Sequence, residues 1–334
     1  MSKQKITPKT FDKCKFYTSS DVGPAYICAI IAPYAIAILV LLGGLVALNA
    51  GLTKEQLDES VLYQVFSYLA SPIGFCIMFF AFNKIRNKSI AAAKVKFKIG
   101  IWNMVICFVV PIVCVFGFNY FIGGIDHLLE MGGYQISELQ LPLDHFGWYV
   151  LSLIVIALLP AIFEELIFRG IIQNGLVRRL GEVGALFMSA FLFALMHGSI
   201  QQFIYPFILG VILGWIAMRT GSTFSSMLVH FLNNAIVVTL NYIAERTGAN
   251  MAFEYNAWQW VLSVALVFVA AAIIFVIERY YFKHKNKVCY EEEQIEQPED
   301  PPKGKVPILV WVGIAISAVL LIINTITNFL PPAA

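Results

Sequence analysis

Charged residues are scarce in this sequence of 334 residues, because Asp, Glu, Lys and Arg together make up only 13% of it. In soluble globular domains, charged residues make up about a quarter of the sequence. Apolar residues account for 59%, more than a soluble fold of this length could bury. The few polar residues are gathered in connectors too short to fold separately. The sequence therefore predicts one membrane domain rather than two soluble ones.

Several motifs that would indicate other chemistries are also missing. The six cysteines include no C-x-x-C pair, and neither H-E-x-x-H nor G-x-S-x-G occurs. These absences argue against a disulfide framework, a thiolate metal site and a serine nucleophile on a sharp turn. The formal net charge of +2 is small, and we expect no nucleic-acid partner.

Long apolar runs dominate what is present. A run of about 18–20 residues suffices to cross the hydrocarbon core as a helix. Such runs cover about residues 24–50, 62–82, 99–123, 148–164, 201–218, 223–243, 257–278 and 307–328, and a shorter one covers 183–197. We expect an all-α fold, a polytopic transmembrane helical bundle with about nine spanning helices.

The connectors predict the orientation of the chain and its division into segments. Lys and Arg are concentrated before the first run and in connector 83–98, whereas the alternate connectors hold only Lys54 and Arg246. Because cytoplasmic loops carry the excess of Lys and Arg, we expect a cytoplasmic N-terminus and an extracytoplasmic C-terminus. A compact chain without an organelle presequence is compatible with the plasma membrane, which is the expected location. No cleavable signal peptide is evident. The predicted segments are a basic cytoplasmic arm (1–23), three transmembrane helices (24–123), an extracytoplasmic connector (124–147), a core (148–245), and C-terminal transmembrane helices (246–334) that include an acidic cytoplasmic loop (283–306).

Ionisable residues inside apolar runs are costly in a membrane and suggest a function. Glu164 and Glu165 interrupt the fourth run, and His197 ends the fifth. His230 and Asn234 share one helical face at i, i+4 spacing. These residues, which all lie in the predicted core, are the candidate site.

Their chemistry is that of amide hydrolysis. A carboxylate paired with a histidine can take a proton from water and return it to a leaving amine. A second histidine and an amide can donate hydrogen bonds to the oxyanion of a tetrahedral intermediate, where one donor is worth about 3–4 kcal/mol. Gly181 lies 17 residues after Glu164 and 16 before His197, so a hairpin turning there brings these two side chains to similar depth.

Three short motifs carry a resemblance to a known family: Glu164-Glu165-x-x-x-Arg169, Phe193-x-x-x-His197 and His230-x-x-x-Asn234. In order and rough spacing they resemble the motifs of the CPBP (Abi) family, which groups type II CAAX prenyl endopeptidases with bacteriocin-processing and self-immunity proteins. The resemblance covers about residues 145–245 and implies the helical core of those endopeptidases. It implies an intramembrane glutamic endopeptidase in which Glu164 and His197 activate water. His230 and Asn234 would then hold the oxyanion.

Glu165, Arg169 and Phe193 are expected to support this site. The i, i+4 spacing of Glu165 and Arg169 favours an ion pair, which we interpret as a structural lock that orients Glu164. Asn233 is interpreted as interhelical packing. Gly210 and Gly214, in the spacing Gly-x-x-x-Gly, are interpreted as a close helix contact.

Two alternatives remain open. We expect no metal, but Glu164, His197 and His230 have the ligand types of a zinc site with an open position for water. A non-catalytic protein, such as a self-immunity factor, a scaffold or a transporter, could use the same helices, although no inverted repeat supports a transporter. The expected partners are membrane lipids and a protein or peptide substrate. That substrate is either a lipidated, CAAX-like protein or a bacteriocin or signal peptide.

Overall fold

The computed structural model describes residues 16–136, 145–248, 256–277 and 304–330, together with positions 143 and 279. Most of the basic arm 1–23, part of connector 124–147 and most of the acidic loop 283–306 lie outside the described residues. Within the described part the chain is helical and contains no strand, so the predicted all-α fold is confirmed.

The helices follow the apolar runs of the sequence closely. In chain order they are α1 Ser19–Asn49, α2 Lys54–Asp58, α3 Val61–Ile85, α4 Ile101–Met131, α5 Phe146–Ser152, α6 Leu159–Glu165, α7 Asn174–Met196, α8 Ile204–Thr220, α9 Thr223–Thr247, α10 Ala257–Ile277 and α11 Ile308–Phe329. Most ends fall within a few residues of the predicted ones. Helix α4 differs, because it continues to Met131, eight residues past the apolar run that ends at 123.

Six helices in the described part are long and apolar enough to cross a membrane, so the chain is a multi-pass membrane protein. Helix α8 and residues 257–266 are shorter apolar helices, and the predicted number of nine crossings stays a prediction. Apolar side chains on the outer helices, such as Leu39, Phe108 and Ile322, are exposed. Lipid rather than water is the solvent that suits such a surface.

One of the six, the segment Phe146–Met196, is 51 residues long and cannot be a single straight crossing. The chain leaves helical geometry at Gly181, where φ is +70° and ψ is 175°, a conformation that glycine adopts without steric cost. Beyond that point the chain runs back along itself, since the Ser189 hydroxyl donates to the Phe168 carbonyl at 3.0 Å. The hairpin predicted at Gly181 is therefore present.

The first arm of this hairpin is irregular. Two π-helical segments, Leu153–Leu158 and Leu166–Gln173, flank α6. All eight residues of the second segment are buried, and Gly170 fits there because a Cβ atom would lie 2.9 Å from Ala93. Short π-helical stretches are rare and often occur at functional sites.

The basic connector between α3 and α4 fixes the start of α9. It contains a 3₁₀ turn, Ile90–Ala93, whose last carbonyl accepts a hydrogen bond from Thr223 Oγ1 at 2.6 Å. Ser222 Oγ donates to the Lys96 carbonyl at 2.6 Å and accepts from the Lys96 amide at 3.1 Å. These bonds set the position of α9 about two turns before His230.

A buried ion cluster joins the start of α1 to the end of α3. The Asp21 carboxylate is fully buried and forms ion pairs with Arg86 at 2.8 Å and with Lys88 at 2.9 Å. Lys88 is itself largely buried and also donates to the Phe16 carbonyl. Each of these buried charges is stabilised by its partner, because an unpaired ion in low dielectric destabilises the fold.

Candidate active site

The two consecutive glutamates end α6 and have different surroundings. Both lie where the α-helix passes into the second π-helical segment. The Glu165 side chain is fully buried, whereas the Glu164 side chain keeps 11% of its surface accessible. Glu164 is therefore the carboxylate of the two that a water molecule or a substrate can reach.

Glu165 Oε1 is the centre of a buried charged cluster. It lies 3.0 Å from Arg169 Nη1, so the ion pair suggested by the i, i+4 spacing is formed. The same oxygen lies 3.1 Å from His230 Nδ1 on α9. The contact with His230 was not predicted from the sequence, and it means that the ion pair positions an imidazole as well as the helix carrying Glu164.

Arg169 is held from two further directions. Its Nη2 donates to the Gly210 carbonyl at 3.1 Å, and its Cζ lies 4.7 Å from the centre of the Phe193 ring. One turn later, Gln173 Nε2 donates to the Gly214 carbonyl at 2.9 Å. The two glycines of α8 thus offer their carbonyls to two side chains of the π-helical segment. A Cβ atom at Gly214 would lie 2.6 Å from Gln173 Oε1, and one at Gly210 would lie 3.2 Å from Ala190 on α7, so both positions need the close approach that glycine allows.

Phe193 separates the two histidines. Its ring is almost completely buried and meets His197 edge to face at 4.9 Å and His230 at 6.0 Å between centroids. The Phe193 ring therefore contacts His197 as well as His230 and Arg169 of the charged cluster. The predicted supporting role of Phe193 has a physical basis, since a shift of the ring would move Arg169 and both imidazoles.

The hydrogen bond of His197 defines its tautomer. Nδ1 lies 2.8 Å from the Phe193 carbonyl, and a carbonyl oxygen can only accept, so Nδ1 carries the hydrogen. In the neutral ring Nε2 is then a free acceptor. The side chain is half-buried, which leaves this nitrogen able to meet a small molecule.

His230 stands between the two carboxylates. While Nδ1 faces Glu165, Nε2 lies 4.0 Å from Glu164 Oε2. This second distance exceeds that of a hydrogen bond, so the two atoms face each other without bonding directly. A reacting group that binds Glu164 Oε2 would therefore also lie beside His230 Nε2.

Asn234 follows His230 by one turn and is half-buried. Its Nδ2 donates to the Ile156 carbonyl at 3.3 Å, and its Oδ1 accepts from Asn233 Nδ2 at 3.2 Å. Asn233 in turn accepts a hydrogen bond from the Tyr205 hydroxyl at 2.6 Å. Sequence reasoning missed Tyr205 and treated Asn233 as packing, because only the folded chain shows that α8 brings the phenol to this point.

The donor set for a metal is not assembled in this arrangement. No group of three His, Cys, Asp or Glu side chains within the described ranges is placed to hold a metal ion. Of the three residues considered for zinc, His197 donates Nδ1–H to a carbonyl, as metal-ligating histidines commonly do, and Glu164 and His230 are 4.0 Å apart.

Comparison with known proteins agrees with the location of this cluster. Residues 146–236 match a family model described as type II CAAX prenyl endopeptidase Rce1-like. The matched range contains every predicted site residue and indicates a membrane-embedded protease that acts on peptides. No curated protein and no solved structure matches the chain. The chain is thus similar to the type II CAAX prenyl endopeptidases over the helices that carry the charged cluster, and the resemblance seen in its three motifs is confirmed there.

Proposed function

We propose that this chain is an intramembrane glutamic endopeptidase in which Glu164 activates the attacking water. The observation that carries the proposal is the contrast between two neighbouring carboxylates. Glu165 is fully buried and engaged by Arg169 and His230, whereas Glu164 is partly accessible and faces His230 across a gap of 4.0 Å. Pairs of titratable groups in such different surroundings are typical of acid–base catalysis.

In the proposed reaction, water donates a proton to Glu164 as its oxygen attacks the scissile carbonyl carbon. His197 acts on the same water, since its Nε2 is an acceptor in the tautomer imposed by the Phe193 carbonyl. The carbon–nitrogen bond then breaks, and the proton passes from the Glu164–His197 pair to the leaving amine. No covalent acyl-enzyme forms.

The oxyanion of the tetrahedral intermediate is assigned to His230 and Asn234. His230 donates from Nε2 when its ring carries both protons, because Nδ1–H is directed at Glu165. Asn234 has a second amide hydrogen besides the one given to the Ile156 carbonyl. Donors fixed before the reaction stabilise developing charge without reorganisation, which is usually the largest contribution to catalysis of this kind.

The proposed substrate is a protein or peptide held in or at the bilayer. Resemblance to the CAAX endopeptidases favours a lipidated C-terminal segment, and a bacteriocin leader or signal peptide is the second class. The distribution of Lys and Arg supports an N-terminus in the cytoplasm, and the proposed location is the plasma membrane. On this orientation the start of α9 and the turn at Gly181 face the cytoplasm.

Peptide cleavage by detergent-purified protein tests the proposal. Wild type, Glu164→Gln and the matched control Glu55→Gln, which changes an exposed glutamate of α2, are incubated with prenylated and unprenylated peptides, and the products are identified by mass spectrometry. We expect Glu164→Gln to lower the cleavage rate at least about 10²–10⁴-fold, the usual contribution of a general base. Glu55→Gln should cleave like wild type.

Three results would contradict parts of the proposal. Cleavage that stops when a chelator is added would favour zinc held by Glu164, His197 and His230. Equal cleavage by wild type and Glu164→Gln would remove this glutamate from the chemistry. A folded wild-type protein that cleaves no peptide would favour a scaffold or self-immunity factor, for which Glu164 is dispensable.

A further inference from the structure

We propose that Tyr205 and Asn233 are positioning residues that hold the Asn234 side-chain amide with its nitrogen toward the reacting carbonyl. This inference rests on the proposed function and adds two residues to it. Neither residue belongs to the three motifs, and neither touches the site of water activation. Their role comes from a chain of three hydrogen bonds that passes through Asn234.

The chain connects three separate helical elements. It begins on α8, where the Tyr205 hydroxyl donates to Asn233 Oδ1 at 2.6 Å. On α9, Asn233 Nδ2 donates to Asn234 Oδ1 at 3.2 Å. It ends on the first π-helical segment, where Asn234 Nδ2 donates to the Ile156 carbonyl at 3.3 Å. Each bond fixes the direction of the next.

This direction matters because an asparagine amide has two different ends. A rotation of 180° about its last bond exchanges a donor group for an acceptor oxygen at almost the same place. In Asn234 the oxygen is held by the donor of Asn233 and the nitrogen by the carbonyl of Ile156. Only the nitrogen end has a hydrogen left over, so the bonds on both sides select the orientation that can stabilise an oxyanion.

The tyrosine determines which way Asn233 itself faces. Because the phenol donates to the Asn233 oxygen, the Asn233 nitrogen is turned toward Asn234. Asn233 is almost completely buried, and water is therefore a poor substitute for either partner. Loss of the phenol hydroxyl would let Asn233 turn over and present its oxygen to the oxygen of Asn234.

The inference predicts a particular kinetic pattern. A donor that acts on the oxyanion works mainly in the transition state, so its misplacement lowers kcat and leaves KM nearly unchanged. We expect Tyr205→Phe to lower kcat about 10-fold, a part of the about 10²–10³-fold typical of losing an oxyanion donor outright. Asn233→Asp keeps the acceptor for Tyr205 but lacks the donor for Asn234, and it should lose at least as much.

A double-mutant cycle separates positioning from general stability. Tyr205→Phe is measured alone and in an Asn234→Ala background, with cleavage products counted by mass spectrometry over long incubations. If Tyr205 acts through Asn234, it has no further effect once Asn234 is alanine, because the two changes remove the same contribution. Tyr149→Phe is the matched control. The Tyr149 hydroxyl forms a hydrogen bond of 3.0 Å with Thr239 on α9, the helix that carries Asn234, but it does not belong to the chain of three bonds.

Each outcome decides the matter. A kcat loss that disappears in the Asn234→Ala background, with Tyr149→Phe close to wild type, supports the positioning role. If the activity of Asn234→Ala is too low to detect, the comparison uses Asn233→Asp instead. A lower kcat in Asn233→Asp than in Tyr149→Phe then supports the positioning role, and equal kcat values in these two variants overturn it. An unchanged kcat in Tyr205→Phe, or the same fractional loss in both backgrounds, overturns the inference while the proposed function stands. A wild type that cleaves nothing overturns both.

Discussion

Replacing Arg169 by methionine should destabilise the fold more than replacing both members of its ion pair. Methionine keeps the unbranched apolar stem but ends short of the guanidinium, so the substitution removes the charge, the hydrogen-bond donors and some volume. The double variant loses the same volume, so the comparison isolates the charge. The substitution removes the 3.0 Å ion pair with Glu165, the 3.1 Å bond to the Gly210 carbonyl and the contact with Phe193. It leaves the Glu165 carboxylate fully buried and without the guanidinium, with His230 and Ser226 still beside it.

The expected magnitude follows from this burial. Breaking a buried ion pair by removing one partner typically costs about 3–5 kcal/mol, because an uncompensated charge is left in low dielectric. The cation–π contact adds about 2 kcal/mol, because both Arg169 and Phe193 are buried. In the double variant Glu165→Gln/Arg169→Met no charge is stranded, and we expect it to be more stable than Arg169→Met alone.

Thermal unfolding in detergent measures this difference. A thiol-reactive fluorophore is a suitable probe once the other four cysteines, of which Cys28 is exposed, are replaced by alanine in every variant. The free thiols of Cys107 and Cys114 are buried and become reactive only on unfolding. Cleavage activity cannot replace this measurement, because a misfolded variant is inactive whatever the role of the residue that was changed. An Arg169→Met protein as stable as wild type, or a double variant less stable than Arg169→Met, would refute the reasoning.

Two further predictions concern packing and charge away from the reacting groups. Gly214→Ala should lower the free energy of unfolding by about 1–3 kcal/mol, because the new Cβ atom would lie 2.6 Å from Gln173 Oε1. The control Gly43→Ala, whose Cβ atom would have nothing within 4 Å, should be neutral or slightly stabilising in the same unfolding assay. Asp21→Asn should cost about 3–5 kcal/mol, because it leaves Lys88 as a poorly compensated buried cation. Unfolding curves of Asp21→Asn and the exposed control Glu55→Gln that coincide would contradict this.

The helices and their ends were predictable because hydrophobic runs are a local property. Lipid requires each spanning segment to satisfy its own backbone, so length and hydropathy are enough to place α1, α3 or α11 within a few residues. The hairpin turn at Gly181 was predictable for the same reason, from residue counts on either side of a glycine. The ion pair of Glu165 with Arg169 follows from i, i+4 spacing.

What the sequence did not show depends on distances between helices. The contact of His230 with Glu165 joins residues 65 positions apart, and the bond of Tyr205 to Asn233 joins two helices. The π-helical segments likewise have no local pattern of their own, since buried apolar residues suit an α-helix equally well. The glycines of α8 were recognised as a packing motif, but their use as hydrogen-bond acceptors needed the position of Arg169.

The second π-helical segment makes this part of the chain sensitive to its length. Each residue added to or removed from a helix turns everything beyond it by about 100°. Arg169 and Gln173 bind the carbonyls of Gly210 and Gly214 one turn apart, so a one-residue deletion within residues 166–168 would displace both side chains from their partners together. A substitution in the same segment affects one contact at a time. Insertions and deletions should therefore be far rarer here, among chains that keep the activity, than changes of side chain.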